Sequence, residues 1–265
     1  MLGSKLAILN PTKLIGLARA INKAGFASRS QAEKLVGQGR VTVNGSLVRD
    51  PESPTTHGDR ILVEGQPLVA VQKVYLMCNK PRGLVTTADD NKGRPTVFQC
   101  LVGQDLPHVG PVGRLDMASE GLLLFTNDTQ WASALLDPAR HVPKTYHVQI
   151  DGLLEPAMIE RMIEGVIDEG ERLRAISVQT LREGEKNRWI EIVLQEGKNR
   201  EIRRMLKVLG LGVLRLVRVR IGPVLLGDLE KGAVRALTEA EVDGLRQGRS
   251  TPSLPYRGST RRRRN

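Results

Sequence analysis

The run Gly121-Leu122-Leu123-Leu124-Phe125-Thr126 limits the possible folds more than any other stretch of this 265-residue chain. A strand so continuously apolar reads as buried. Ahead of it, His108-Val109-Gly110-Pro111-Val112-Gly113 supplies glycines and a proline, which place Arg114 and Asp116 on a loop that enters the strand. Loops carried on a rigid buried strand are where functional side chains gather. Asp116 is therefore a candidate nucleophile or general base, and Arg114 a candidate phosphate ligand. The alternative is an Asx-type turn, in which Asp116 only bonds nearby backbone amides.

Around this strand the body alternates strands and helices. Strands are expected at 74–78, 121–126, 144–150, 174–181, 189–194 and 213–221. Helices are expected at 129–136, 155–165, 200–209 and 239–246, the last with Thr238 as cap and Glu241 at the box position. Short turns, such as 182–186, favour antiparallel pairing. The fold class is α+β: a small N-terminal α/β module, then a larger domain on a mixed, mainly antiparallel sheet with flanking helices.

The N-terminal module follows a lead-in at 1–12. Leu14, Leu17, Ala18, Ile21 and Ala24 fall at helical spacing from Lys13, and Gly25 stops the helix. A second helix starts at Ser28 with Gln31 as its capping box (Ser30 and Glu33 offer an alternative box) and ends at Gly37/Gly39. Asn44-Gly45 between Val41-Thr42-Val43 and Ser46-Leu47-Val48 is a hairpin signal, because both turn residues must accept positive φ. Ile61-Leu62-Val63 adds a strand. The expected borders are 13–72 for this module, 73–247 for the body and 248–265 for an arginine-rich tail.

Charge narrows the partner. The net charge is +11. Residues 1–50 carry eight basic and two acidic side chains, and residues 246–265 carry seven arginines and no acid, leaving the middle slightly acidic. Basic ends on a near-neutral body suit a polyanion. Nucleic acid fits better than an anionic membrane, because no amphipathic helix pairs a basic face with Trp or Phe. No apolar run is long enough to span a bilayer, and Leu6 to Leu9 is too short for a signal peptide core. Cys78 and Cys100 are too few for a disulfide scaffold and lack metal-ligand spacing, so a reducing cytoplasm is expected.

Arg19, Lys23, Arg29, Lys34 and Arg40 lie on or beside the first two helices and suit contacts to RNA phosphates; a solvated helix face is the plainer alternative. Lys198, Arg200, Arg203, Arg204 and Lys207 form a second cluster, followed by Arg215, Arg218 and Arg220. Eight cations thus face one acid across residues 198–220. Ile202, Met205 and Leu209 face a core from the same helix. Tyr146 shares a strand face with Val148 and Ile150 and reads as core, although aromatics are only 3% of the chain and a base-stacking ring must come from few residues. His147 points the other way, and Trp131 and Trp189 read as core.

These segments carry a resemblance. Ala27-Ser28-Arg29 and Gly39-Arg40-Val41-Thr42-Val43-Asn44-Gly45 resemble the S4-type RNA-binding domain. Asn79-Lys80-Pro81-Arg82-Gly83, Gly113-Arg114-Leu115-Asp116, Gly121 to Asp128, Lys144-Thr145-Tyr146, Gly197 to Met205 and Arg220-Ile221-Gly222-Pro223 are similar to the RsuA-type ribosomal RNA pseudouridine synthases, in the same order. The resemblance implies isomerisation of a flipped-out uridine with no metal and no cofactor. It makes Asp116 the catalytic carboxylate, attacking the ribose anomeric carbon or the pyrimidine ring. Arg114 would displace the base, Tyr146 would stack on it, and Arg203 would pair with Asp116. Leu214 or Leu216 would line the base pocket. RNA would be held by Arg19, Lys23, Ser28, Arg29, Lys34, Arg40, Asn44, Lys80, Lys198, Arg200 and Arg204. The implied partner is ribosomal RNA, of the large rather than the small subunit, or a ribosome assembly intermediate, bound by a monomer in the cytoplasm. Two rival classes are a non-catalytic RNA-binding ribosome-assembly factor and a glycosidase-like hydrolase. The second would want two partnered carboxylates, and Asp116 stands alone.

Overall fold

A computed structural model describes residues 14–88, 90–183 and 188–248. The lead-in at 1–12, most of the 182–186 turn and nearly all of the arginine-rich tail lie outside the described residues. One compact unit comprises 14–75 together with 103–110 and 125–129, and the other described residues form a second. Two short stretches that the sequence assigns to the body therefore group with the N-terminal module.

The first unit begins with β1 (Ile15–Gly16), α1 (Leu17–Lys23) and α2 (Arg29–Gly37). It continues with β2 (Val41–Val43), β3 (Ser46–Val48), β4 (Pro54–Thr55), β5 (Ile61–Val63) and β6 (Gln66–Pro67). The helix expected from Lys13 starts only at Leu17. Residues 15–16 pair with β4, and the Leu17 and Ala18 amides donate to the Ser53 and Pro51 carbonyls, so the entering chain is held extended. Ser28 caps α2 with the full box to Gln31. Asn44 and Gly45 sit at φ +53° and +85°, closing the β2–β3 hairpin. Leu17, Ile21, Ala32, Val36, Val41 and Val63 form the core of this unit.

The second unit is built on a sheet of order β13-β14-β10-β15-β9-β7-β17. Its members are β7 (Tyr75–Lys80), β8 (Gly110–Val112), β9 (Glu120–Thr126), β10 (Lys144–Ile150), β13 (Ser177–Glu183), β14 (Arg188–Leu194), β15 (Val213–Ile221), β16 (Val224–Leu225) and β17 (Val234–Ala236). Strands β11 (Val166–Asp168) and β12 (Glu171–Leu173) form a separate hairpin. The helices are α3 (Thr129–Leu136), α4 (Pro156–Glu164), α5 (Glu201–Val208) and α6 (Glu239–Arg246). Tyr146 on β10 faces Ile192 of β14 and Arg218 of β15 in antiparallel register. The β15–β9 pairing is parallel, which makes the sheet mixed. All seven residues of β9 are buried, as its composition requires. No helix among the described residues is long and apolar enough to cross a membrane.

Buried polarity ties β9 to its neighbours. Glu120 is 4% exposed at its side chain and accepts from Arg215 at two oxygens, each 3.0 Å away, and from Lys231 at 2.7 Å. The Arg215 guanidinium lies 5.5 Å over the Trp189 ring, so Trp189 is half-buried and takes a cation rather than being plain core. Burial alone pushes the Glu120 carboxyl up, but the hydrogen bonds from Arg215 and Lys231 outweigh it and hold the group below the usual range. A depressed carboxyl stabilises the fold above its unfolded-state pKa, and that stability is lost as pH falls through the folded value. Glu120→Gln is therefore expected to cost about 1–3 kcal/mol near pH 7 and progressively less below pH ~4.5, as denaturant unfolding across pH will measure.

Candidate active site

A cleft of about 990 Å³ opens in the second unit, lined among others by Arg114, Asp116, Tyr146, Arg200, Arg203 and Leu216. Asp116 lies on the loop between β8 and β9, and the short segment after β7 builds that loop from behind. Lys80 Nζ donates to the carbonyls of Ser119 (2.8 Å), Pro81 (3.0 Å) and Asp116 (3.2 Å). The Thr86 hydroxyl donates to the Leu115 carbonyl at 2.7 Å, and the Gly83 amide donates to the Met117 carbonyl at 2.8 Å. The loop is thus fixed through its backbone, and the Asp116 carboxylate is left for other work.

That carboxylate is 36% exposed at its side chain, and its partner is Arg200, with Nη1 3.5 Å from Oδ2. Among the described residues it bonds no backbone amide, so the Asx-turn alternative does not hold. The expected Arg203 pair is not formed. Arg203 donates instead to the Val213 carbonyl (3.3 Å) and the Ala118 carbonyl (3.4 Å). Arg200 reaches Asp116 because it precedes α5 in a left-handed conformation, φ +49°, rather than lying inside the helix as the sequence suggests. Burial pushes the Arg203 guanidinium down, as does the Arg200 charge, while Asp116 pulls the other way; Arg203 therefore still feels the carboxylate.

Of the other expected positions, Tyr146 is buried at the cleft wall, and Arg114 is exposed at its rim with no carboxylate partner among the described residues. Leu216 is buried and lines the cleft, whereas Leu214 is 43% exposed and does not. Lys198 lines it too, donating to the Arg172 carbonyl at 2.7 Å.

Several expected RNA contacts already have partners within the protein, although Arg29, Arg40 and Asn44 remain exposed. Lys80 has no exposed surface, so it holds the Asp116 loop and meets no RNA. Arg204 is clamped by Asp168 and Glu171, both at 2.6 Å, which braces α5 against the β11–β12 hairpin. In the first unit Ser28 is spent as a helix cap, and the Asn44 side chain accepts from the Arg60 amide and donates to Asp59. Arg29 pairs with Glu33 and Glu52, and Arg40 pairs with Glu64. Arg19 and Lys34 are exposed, and Lys23 is half-buried.

Lys144 and Arg218 also line the cleft, and sequence reasoning gave them no role. Lys144 was within reach, since it shares a strand face with Tyr146 by alternation. Arg218 was not, because only the β10–β15 register sets it opposite Tyr146.

Known proteins resemble this arrangement closely. A family model described as RNA pseudouridylate synthase matches residues 74–207, and one for the S4 domain matches residues 15–61. Ribosomal large subunit pseudouridine synthase B of Pseudomonas aeruginosa is 38% identical over 88% of this chain, which spans 63% of that protein's length. The protein of the same name in Bacillus subtilis is 34% identical over 87% of this chain and 95% of its own. A solved pseudouridylate synthase structure superimposes with a TM-score of 0.62, covering 87% of this chain and 99% of its own at 31% identity. Ordered motifs, a carboxylate-bearing loop in an open cleft and these likenesses converge: the chain belongs to the RNA pseudouridylate synthase family.

Proposed function

We propose that this protein isomerises a uridine of large-subunit ribosomal RNA, with Asp116 as the attacking carboxylate. The observation that carries this is the placement of Asp116: backbone-fixed, its side chain free of backbone amides among the described residues, and open to a cleft large enough for a nucleotide. The target base leaves its stack, at a cost of a few kcal/mol, and enters beside Tyr146. Arg114, exposed at the rim, displaces the base and meets phosphate. Asp116 adds to the ribose or the ring, and the bond from N1 to the anomeric carbon breaks. After rotation C5 bonds to that carbon, the bond to Asp116 breaks and returns the carboxylate, the C5 proton leaves to water, and N1 gains a proton.

Arg200 pairs with Asp116, and Arg203 adds positive charge close to it, which suits a site that receives an anionic RNA. Residues 13–72 serve as the RNA-holding module and 73–247 as the catalytic domain. Exposed Arg19 and Lys34 meet phosphates without reading sequence. The large-subunit assignment rests on the names of the relatives.

Ribosomal RNA labelled with tritium at uridine C5 tests the proposal, because isomerisation sends that label to water. The purified chain is expected to release tritium from large-subunit RNA and not from small-subunit RNA. Release from neither RNA refutes the enzymatic reading, and release from the small-subunit RNA alone refutes the target.

A further inference from the structure

Arg218 is the most deeply placed cation of the cleft, 6% exposed. Its Nε donates to the Leu122 carbonyl at 2.8 Å, which fixes the guanidinium plane against β9. Its Nη2 is buried, and among the described residues it has no hydrogen-bond partner and no carboxylate pairs with it. A buried charged donor left unpaired is costly, and native folds seldom keep one without a use. The backbone is also built around it. Arg218 lies beside Gly121 in the parallel β15–β9 pair, where a Cβ on Gly121 would collide with the Arg218 backbone. Gly121, at φ +100°, follows the Asp116 loop by five residues. Tyr146 lies opposite Arg218 on the other neighbouring strand. Lys144, on the Tyr146 face, also lines the cleft; burial pushes its ammonium down, and the Arg218 charge pushes it further. Two cations thus crowd this wall, and neither has a carboxylate bonded to it among the described residues.

We propose that Arg218 is a substrate-binding residue whose unpaired Nη2 donates to a carbonyl oxygen of the flipped uracil. This rests on the reading that the cleft takes a uridine. Depth selects the base over the phosphate: a phosphate stays on the RNA backbone near the exposed Arg114 and Arg200, and only the base reaches a group this buried. Uracil offers two ring carbonyls, and a donor-only guanidinium suits either one.

Atom replacement tests the contact on the full chain. Target RNAs carrying 4-thiouridine or 2-thiouridine at the modified position replace one carbonyl with a poor acceptor. Product is measured by nucleoside chromatography in single turnover, with RNA affinity and thermal unfolding followed alongside. Wild type is expected to slow about 10- to 100-fold on one of the two thio RNAs. Arg218→Met is expected to slow by a similar factor on ordinary RNA, keep its RNA affinity, and show no further loss on that same thio RNA. Arg218→Lys retains a donor, should fall between them, and carries the same comparison if the methionine variant unfolds. The thio RNA that responds identifies the carbonyl. A wild type indifferent to both replacements, or losses that multiply in the variant, overturns the contact. Wild-type turnover of the ordinary RNA reports separately on the functional reading, so either idea can fail alone.

Discussion

Asp116→Asn is expected to lower single-turnover pseudouridine formation by at least about 10⁴-fold, because an amide is not a nucleophile under these conditions and the covalent route closes. RNA affinity and thermal midpoint should change little. The side chain is part-exposed, its only bond among the described residues is a long 3.5 Å ion pair to Arg200, and exposed pairs contribute about 0–1 kcal/mol. The Asp116 loop is held by its main chain, through Lys80 and the Ser119 amide, and asparagine leaves those contacts intact. Rapid-quench kinetics beside filter binding separates the two effects. A variant with substantial activity would remove Asp116 from the chemistry.

Lys80→Met should be the most damaging substitution for stability outside the hydrophobic core, costing about 3 kcal/mol. Methionine matches the length of the side chain but returns nothing to the carbonyls of Pro81, Asp116 and Ser119. The loop that presents Asp116 then loosens, so activity should fall along with the denaturation midpoint. A pH signature accompanies this. Burial pushes the Lys80 ammonium down to about 8 from 10.5, so across that window the unfolded chain binds more protons than the folded one. The Lys80 contribution to stability should therefore rise as pH climbs from about 8 to 10.5, a slope absent from the variant. Denaturant unfolding of both proteins at several pH values measures it.

Legibility followed the range of the interactions. Strands β10 and β15 begin and end where their alternation says, and α3 and α6 match their expected bounds, because these signals are local. The β11–β12 hairpin was missed: its strands are three residues each, and its turn, Glu169-Gly170 at φ +49° and +78°, lacks the Asn or Asp that marks such turns. The late start of α1 depends on pairing with residues 40 positions away. At the cleft, the glycine-rich loop and the apolar strand after it made Asp116 a candidate beside the plainer turn reading, and only the family resemblance set it ahead. Which arginine pairs with it did not show, because that turns on one left-handed residue, Arg200, ahead of a helix. The cations that left the RNA surface did so for partners distant in sequence, Asp168 and Glu171 for Arg204 and the Ser119 carbonyl for Lys80. A count of positive charges cannot distinguish a phosphate ligand from a buried brace.

The most direct measurement is a pseudouridine map of ribosomal RNA from a strain lacking this protein, complemented with wild type or Asp116→Asn at equal abundance. The account predicts that a large-subunit pseudouridine disappears on deletion, returns with wild type, and stays absent with Asp116→Asn. An unchanged map on deletion, or a site restored by Asp116→Asn, would contradict it.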